Sequence, residues 1–455
     1  MNLKYLKLAE DIKDELKKRN LPAGSKLPSI RRLSKEYNCS KNTVIKAFNE
    51  LEKEHLIYAI PQSGYYLVNK PKLPDNQPGT IDFLSAGPDK QLLPYKEFQH
   101  CMNQAIDTYK EEIFTYSDQQ GLLTLRKELI NNFQYNQVFT FVERVVIVSG
   151  AQQAIHLLTA LPFPNGKKNI LIEQPTYFGM IESLKINNAK AFGIELSMNE
   201  IDLDQIEYHF KNSDIKFFYI IPRFHNPLGH SYTNDEKKKI VELANKYDVY
   251  IVEDDFLGEL ERNKKADPFF AFDPSGRVIY IQSFSKIFLP GLRIASVILP
   301  DNLVESFLQY KFSADFNSPV LSQGALDIYL KSGMYRSHLK KIKEVYYHRM
   351  NLLKHSCSQY LPKGTQYTEP DSGFYLSIYL PNSISSKRLA KFLSVQKVLL
   401  DDAHRMFLPE FNKDNLIRLC VSQVNDQEII QGMKKIKDAI ITLENKKAHA
   451  VYPYN

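Results

Sequence analysis

The sequence predicts two domains: a small α+β module of three helices and a hairpin, followed by a large α/β domain on a mainly parallel sheet. Three observations predict this. At 455 residues the chain exceeds one typical domain. Its charge is uneven, since the first 70 residues hold 14 Lys and Arg against 8 Asp and Glu and so carry six of the seven net positive charges. Beyond residue 80, short β-branched runs alternate with helical stretches, the pattern of strands joined by helical crossovers. The composition, 43% hydrophobic and 24% charged, is that of an ordinary globular protein. No run approaches the roughly 20 apolar residues of a membrane span, and the N-terminus leads into no signal-peptide core. A cytoplasmic location without a membrane partner is therefore expected. Cys39, Cys101, Cys357 and Cys420 are far apart and make neither a disulfide framework nor a metal-binding pattern.

In residues 1–68, apolar positions at Leu6, Leu8, Ala9, Ile12 and Leu16 have helical spacing over 5–19, and the pattern stops near Asn20-Leu21-Pro22-Ala23-Gly24. Ser29 is placed to cap a second helix through Tyr37, and Ser40 a third reaching about His55. Only Asn38-Cys39 separates these two helices. Strands over residues 56–60 and 65–68 then flank Pro61-Gln62-Ser63-Gly64 as a hairpin. Three helices and a hairpin outline a winged helix-turn-helix. The third helix opens with Lys41, Asn42, Thr43 and Lys46, while Val44, Ala47, Phe48 and Leu51 are spaced to pack inward. In a major groove such an N-terminal end can meet phosphates and base edges, where Asn suits adenine and Lys suits guanine or phosphate. The six extra positive charges point to the same polyanionic partner.

These segments resemble the DNA-binding domain of the GntR family of bacterial regulators. The likeness is carried by Leu27-Pro28-Ser29-Ile30-Arg31-Arg32-Leu33, by Cys39-Ser40-Lys41-Asn42-Thr43-Val44 and by Gly64. It implies that Arg31, Lys41, Thr43 and Lys46 contact double-stranded DNA, and that Gly64 lets the wing tip approach the minor groove. The family usually has arginine where Lys41 and Lys46 stand, so charge is kept and bidentate geometry is not. Residues 69–80, with Pro71, Pro74 and Pro78, read as a short semi-rigid linker.

From residue 81 to 455, strands are expected at Val145–Val148, Asn169–Ile172, Phe217–Ile221, Val249–Val252 and Val278–Gln282, with helices between them such as Asn234–Lys246. In a mainly parallel sheet the ligand site lies at the carboxyl ends of the strands, and the chemistry-bearing residues follow those ends. Ser149-Gly150-Ala151-Gln152 opens a helix whose N–H groups suit an anion. Tyr177 could stack on a planar ring, and Asn226 could hydrogen-bond a phenolic oxygen. Glu253-Asp254-Asp255 is costly at a strand end unless it meets a cation, for which a protonated pyridine nitrogen serves. Ser283-Phe284-Ser285-Lys286, with Arg293 seven residues on, sets a Schiff-base lysine beside groups that can hold phosphate. Each taken alone also fits a bland role: a solvated turn, core filler, a helix cap or a salt bridge.

Together they resemble the fold type I aminotransferases, which use pyridoxal 5′-phosphate, over residue 81 to the end. The resemblance implies Lys286 as the Schiff-base lysine, Asp254 as partner of the pyridine nitrogen, Tyr177 stacked on the ring and Asn226 on its oxygen. Ala151, Gln152, Ser283, Ser285 and Arg293 would hold the phosphate. Tyr116 would reach the phosphate of the neighbouring subunit, which implies a domain-swapped homodimer. Arg418, in Leu416-Ile417-Arg418-Leu419, would clamp a ligand carboxylate, and a small C-terminal α/β part is implied. Phe256 replaces a tyrosine usual in such proteins, and Leu228 a threonine.

A GntR-type module fused to an aminotransferase-like domain is similar to the MocR subfamily (GabR- and PdxR-like). This implies a transcription regulator that senses pyridoxal phosphate or a small amino compound through an aldimine at Lys286. Two other readings stay open: a working aminotransferase that carries a DNA-binding domain, and a large domain that serves only for dimerisation.

Overall fold

The computed structural model describes residues 4–19, 24–54, 56–68, 79–196, 201–263 and 265–451. The chain forms two compact units, Met1–Pro78 and Gly79–Asn455. Most of the expected linker, residues 69–78, lies outside the described residues, as do His55 and the expected helix stop at residues 20–23.

In the first unit, α1 (Lys4–Arg19), α2 (Ile30–Glu36) and α3 (Lys41–Lys53) precede the hairpin β1 (Ile57–Ile60) and β2 (Gly64–Leu67). Serine caps start both helices of the helix-turn-helix. Ser29 Oγ accepts from Arg32 N at 3.3 Å and Ser40 Oγ from Thr43 N at 3.1 Å, satisfying N–H groups that a helix start leaves unpaired. Asn38 makes the turn between them in the left-handed region, φ 46°. Val44, Ala47, Phe48 and Leu51 recur at helical spacing on the inner face of α3 and meet Leu8, Ile12, Leu33 and Ile57. Phe48 is fully buried, with its ring 4.3 Å from that of Tyr65 on the hairpin.

The second unit contains a seven-stranded sheet, order β4-β10-β9-β8-β7-β5-β6. Its strands are β4 (Val145–Val148), β5 (Asn169–Gln174), β6 (Ala191–Glu195), β7 (Ile215–Ile220), β8 (Tyr250–Asp254), β9 (Val278–Ser283) and β10 (Ala295–Ile298). β10 runs antiparallel to both of its neighbours, and the remaining pairs are parallel. The five expected strands are all present. β6 and β10 were not expected: β6 carries Gly193 and ends on a charge, and β10 has only four residues. A second, three-stranded antiparallel sheet packs β11 (Gln366–Tyr367), β12 (Tyr375–Tyr379) and β14 (Leu416–Cys420). A parallel pair joins β3 (Ile81–Asp82) to β13 (Val398–Leu399), tying the start of this unit to its C-terminal part.

Two features aim the sheet at its site. The helix Ala151–Ala160 follows β4, and buried Lys216 on β7 donates to the carbonyls of Leu158, Thr159 and Leu161 at that helix's C-terminal end, at 3.3, 2.7 and 3.1 Å. A cation there complements the negative end of the helix dipole and leaves the N-terminus pointing at the strand ends. The expected helix Asn234–Lys246 is present, and a Thr233/Glu236 capping box starts it. Among the described residues no helix is long and apolar enough to cross a membrane, and no His, Cys, Asp and Glu group could hold a metal ion.

Phe48→Ala removes the centre of the small module's core and is expected to cost it about 3–5 kcal/mol. Differential scanning calorimetry of the full chain should then show unfolding of the small unit moved to lower temperature or lost, with that of the large unit unchanged.

Candidate functional site: a cavity at the strand ends

A cavity of 190 Å³ opens beyond the carboxyl ends of β4, β5, β7, β8 and β9. It is lined by Ala151, Gln152, Tyr177, Asn226, Asp254, Ser283, Ser285, Lys286 and Arg293, together with Gly87, Phe256 and Pro290. Every cofactor residue expected within one chain is therefore in one place.

One end is electropositive. Gly150 caps the helix Ala151–Ala160 with φ 93°, a left-handed conformation that favours glycine, and a β-carbon there would crowd the guanidinium, 2.4 Å from Arg293 Nη2. Arg293, itself left-handed at φ 54°, donates from Nη2 to Ser149 O at 3.3 Å. Ser283 Oγ accepts from Ser285 N at 3.2 Å, while Ser285 Oγ is buried without a partner. Helix N–H groups, hydroxyls and a guanidinium converging on one point form an anion cradle. Gln152 braces it, donating from Nε2 to Gly179 O at 2.8 Å and to Ser183 Oγ at 3.0 Å.

The opposite end is acidic. Three consecutive carboxylates have three different fates. Glu253 accepts backbone N–H bonds from Phe269 and Phe270 at 2.7 and 2.9 Å. Asp255 pairs with buried Arg223 and accepts from Tyr280 OH at 2.8 Å. Among the described residues Asp254 accepts only from Tyr219 OH, at 2.6 Å on Oδ2, and its buried Oδ1 has no partner. Burial pushes the Asp254 carboxyl up to about 7 against the pull of the Tyr219 hydroxyl and of Lys286.

Lys286 sits between the two ends. Its Nζ donates to Ala86 O at 3.0 Å, and burial pulls its pKa down to about 8. A lysine so placed is a usable nucleophile near neutral pH. Asn226 accepts from Arg418 Nη1 on Oδ1 at 3.1 Å, which turns its amide nitrogen the other way. Phe256 is buried, with its ring 6.3 Å from that of Tyr375.

Two expected residues lie off the cavity wall. Tyr116 is 84% exposed, its ring edge-on to Phe316 at 5.1 Å. Arg418, on β14, is buried behind Asn226. Its Nη2 donates to Leu84 O at 2.9 Å and lies 3.0 Å from Asp401 Oδ2. Tyr219, Asp401 and the Leu84 and Ala86 carbonyls were not foreseen. Their residue types are common, and no local spacing marks them.

In the N-terminal unit, Arg31, Lys41, Asn42 and Lys46 are exposed and Thr43 is half-buried, its Oγ1 2.9 Å from Ser40 Oγ. Arg31, Lys41 and Lys46 make no ion pair among the described residues. Gly64 has φ 116° at the start of β2. Beside it, the rings of Tyr58 and Tyr66 stack at 5.7 Å and Lys26 Nζ stands 5.9 Å from the Tyr66 ring. A row of unpaired cations on the outer side of a helix start suits a phosphate backbone.

Residues 90–436 match the family described as aminotransferase class I and II, and residues 4–67 the bacterial regulatory proteins of the gntR family. The chain belongs to the class I and II aminotransferase family and carries a GntR regulatory domain ahead of it, the arrangement of the MocR subfamily. It is 44% identical over 436 residues to the uncharacterized HTH-type transcriptional regulator YcxD of Bacillus subtilis, covering 95% of this chain and 98% of that one. It is 26% identical to the HTH-type transcriptional regulator NorG of Staphylococcus aureus, over 90% and 98%. Among solved structures, the multiple substrate aminotransferase from Thermococcus profundus is similar with a TM-score of 0.75 and 26% identity, over 81% of this chain and 92% of that one.

Family membership implies pyridoxal 5′-phosphate, and the cavity fits it. The unpartnered Asp254 Oδ1 needs a cationic donor, which a protonated pyridine nitrogen is. The unpartnered Ser285 Oγ and the Gly150 cradle need an anion, which a phosphate is. Lys286 lies between them for the aldehyde.

Two outcomes follow. Because Lys286 Nζ loses its proton near 8 rather than near 10.5, uptake of pyridoxal phosphate by the apoprotein should accelerate as pH rises through about 8 and then level off. Stopped-flow absorbance measures it, and a rate flat across that range contradicts the assignment. Tyr219→Phe removes the hydroxyl that favours ionised Asp254, so its pKa rises. Cofactor affinity near neutral pH should then fall about tenfold for each unit of that rise, by fluorescence titration.

Proposed function

We propose that the chain is a pyridoxal phosphate-dependent transcription regulator. Residues 1–68 bind double-stranded DNA, 69–80 link, and 81–455 hold the cofactor and receive a small amino compound or pyridoxal phosphate as effector. The observation that carries this reading is the convergence of Lys286, Asp254 and Arg293 on one cavity, in a chain whose other unit presents unpaired cations at the start of α3.

Each residue has a defined task. Arg293, Ser283, Ser285 and the N–H groups at Ala151 and Gln152 bind the phosphate. Asp254, whose ionised form the Tyr219 hydroxyl favours, would pair with the ring nitrogen, Asn226 would donate to the ring oxygen and Tyr177 would stack on the ring. Bound pyridoxal phosphate supplies an aldehyde that condenses reversibly with primary amines. Lys286 would be the residue that holds it, and its buried Nζ, low in pKa, could take or give a proton there. An effector acts on DNA binding to the extent that it favours one arrangement of the two units over another. Exposed Tyr116 and Phe316 suit a homodimer in which Tyr116 completes the partner's phosphate site. A cytoplasmic location follows from the DNA target.

A second reading, a working aminotransferase, is favoured by the intact Asp254 and by a Lys286 amine that forms no ion pair among the described residues. Incubation with an amino donor and excess keto acid separates the two: a regulator stops after one equivalent, and an enzyme turns over repeatedly.

Lys286→Ala should abolish the visible absorption of the protein-bound cofactor, and with it any response of operator binding to effector. Lys41→Ala with Lys46→Ala should leave that absorption intact and weaken DNA binding at every sequence. The slope of log affinity against log salt should become shallower by about 2, by fluorescence anisotropy.

A further inference from the structure

The cavity holds more information about the class of amine, given the cofactor reading above on which this inference rests. A carboxylate is clamped best by two parallel N–H bonds from one guanidinium. Arg418 is the residue that the resemblance expects as such a clamp, yet both arms of its fork are engaged within the chain. Nη1 donates to Asn226 Oδ1 at 3.1 Å, and Nη2 donates to Leu84 O at 2.9 Å while facing Asp401 Oδ2 at 3.0 Å. Only Nε is left without a partner.

We propose that the effector is a primary amine with no carboxylate on the amine-bearing carbon, because Asp401 occupies the charge of Arg418 that such a carboxylate would need. Asp401 is fixed from two directions. Its Oδ1 accepts from Ala403 N at 3.0 Å, and its backbone exchanges N–H···O bonds with that of Arg418 at 2.9 and 3.3 Å. The two side chains are 4% and 6% exposed, so the pair is a closed, neutral unit. A ligand carboxylate would have to displace Asp401 and strand it as a buried charge, or share one guanidinium with it at the cost of like-charge repulsion. The cations that line the cavity offer no substitute: Lys286 is the nucleophile, and Arg293 lies over Ser149 and Gly150 at the phosphate end.

The test uses full-length protein loaded with pyridoxal phosphate and titrated with pairs of ligands, each an α-amino acid and the amine left by its decarboxylation. Calorimetry reads affinity and visible absorption reads engagement of the cofactor. The amine of a pair should bind at least about tenfold tighter than its amino acid. Asp401→Asn keeps an oxygen for the Ala403 N–H and removes the charge, so it should strengthen amino-acid binding and narrow that ratio. Wild-type protein that binds amino acids as tightly as amines overturns the proposal, and this comparison stands even where the variant does not fold. A folded Asp401→Asn protein with an unchanged ratio overturns the role given to Asp401. Wild-type protein that takes up no pyridoxal phosphate overturns the cofactor reading itself, and this inference with it.

Discussion

A carboxylate buried at the end of a central strand is the constraint on which the large unit depends. Leaving an ionised group of this kind unpaired in a protein interior costs several kcal/mol. The fold therefore surrounds Asp254 selectively. Its neighbours Glu253 and Asp255 are satisfied inside the protein, by two backbone N–H groups and by Arg223 with Tyr280, while Asp254 receives one hydroxyl and keeps one oxygen open to the cavity. The same desolvation that raises its pKa draws a cationic ring to it.

The opposite end of the cavity is built by the complementary device. Lys216 caps the far end of the helix Ala151–Ala160, and Gly150 opens its near end to Arg293. Positive potential is thus gathered where the proposed phosphate would bind, and negative potential where the proposed ring nitrogen would bind. Lys286, poised between the two and low in pKa through burial, completes a site whose polarity matches pyridoxal phosphate from end to end. The strand order places β8 beside β7, so Tyr219 comes within hydrogen-bonding distance of Asp254.

The two units use charge in opposite ways. The small one leaves Arg31, Lys41 and Lys46 solvated and unpaired, so their field is available to a polyanion and is screened by salt. Around its cavity the large one buries a few charges and pairs them within the chain, as Arg418 with Asp401 and Arg223 with Asp255 illustrate. What stays uncompensated in the cavity marks the shape and sign of its ligand.

Local features were legible in the sequence. Ser29 and Ser40 announce helix starts because their side chains bond N–H groups three residues on. Val145–Val148 and Val278–Gln282 read as strands because continuous β-branched and aromatic runs suit a sheet buried on both faces. The residues from Ser283 to Arg293, and those around Asn226 and Gly150, announce their chemistry because phosphate and Schiff-base groups cluster within a few positions. Tertiary structure alone decided which of three adjacent acids keeps a free oxygen, that Tyr219 serves it, that β10 enters the sheet antiparallel, and that Asp401 neutralises Arg418. Those outcomes depend on meetings across 35, 17 and, for Arg418 with the Leu84 carbonyl, 334 residues of chain. Periodicity and capping act over one or two turns, so the sequence determined the elements and the type of chemistry, while packing determined which charges remained available to a ligand.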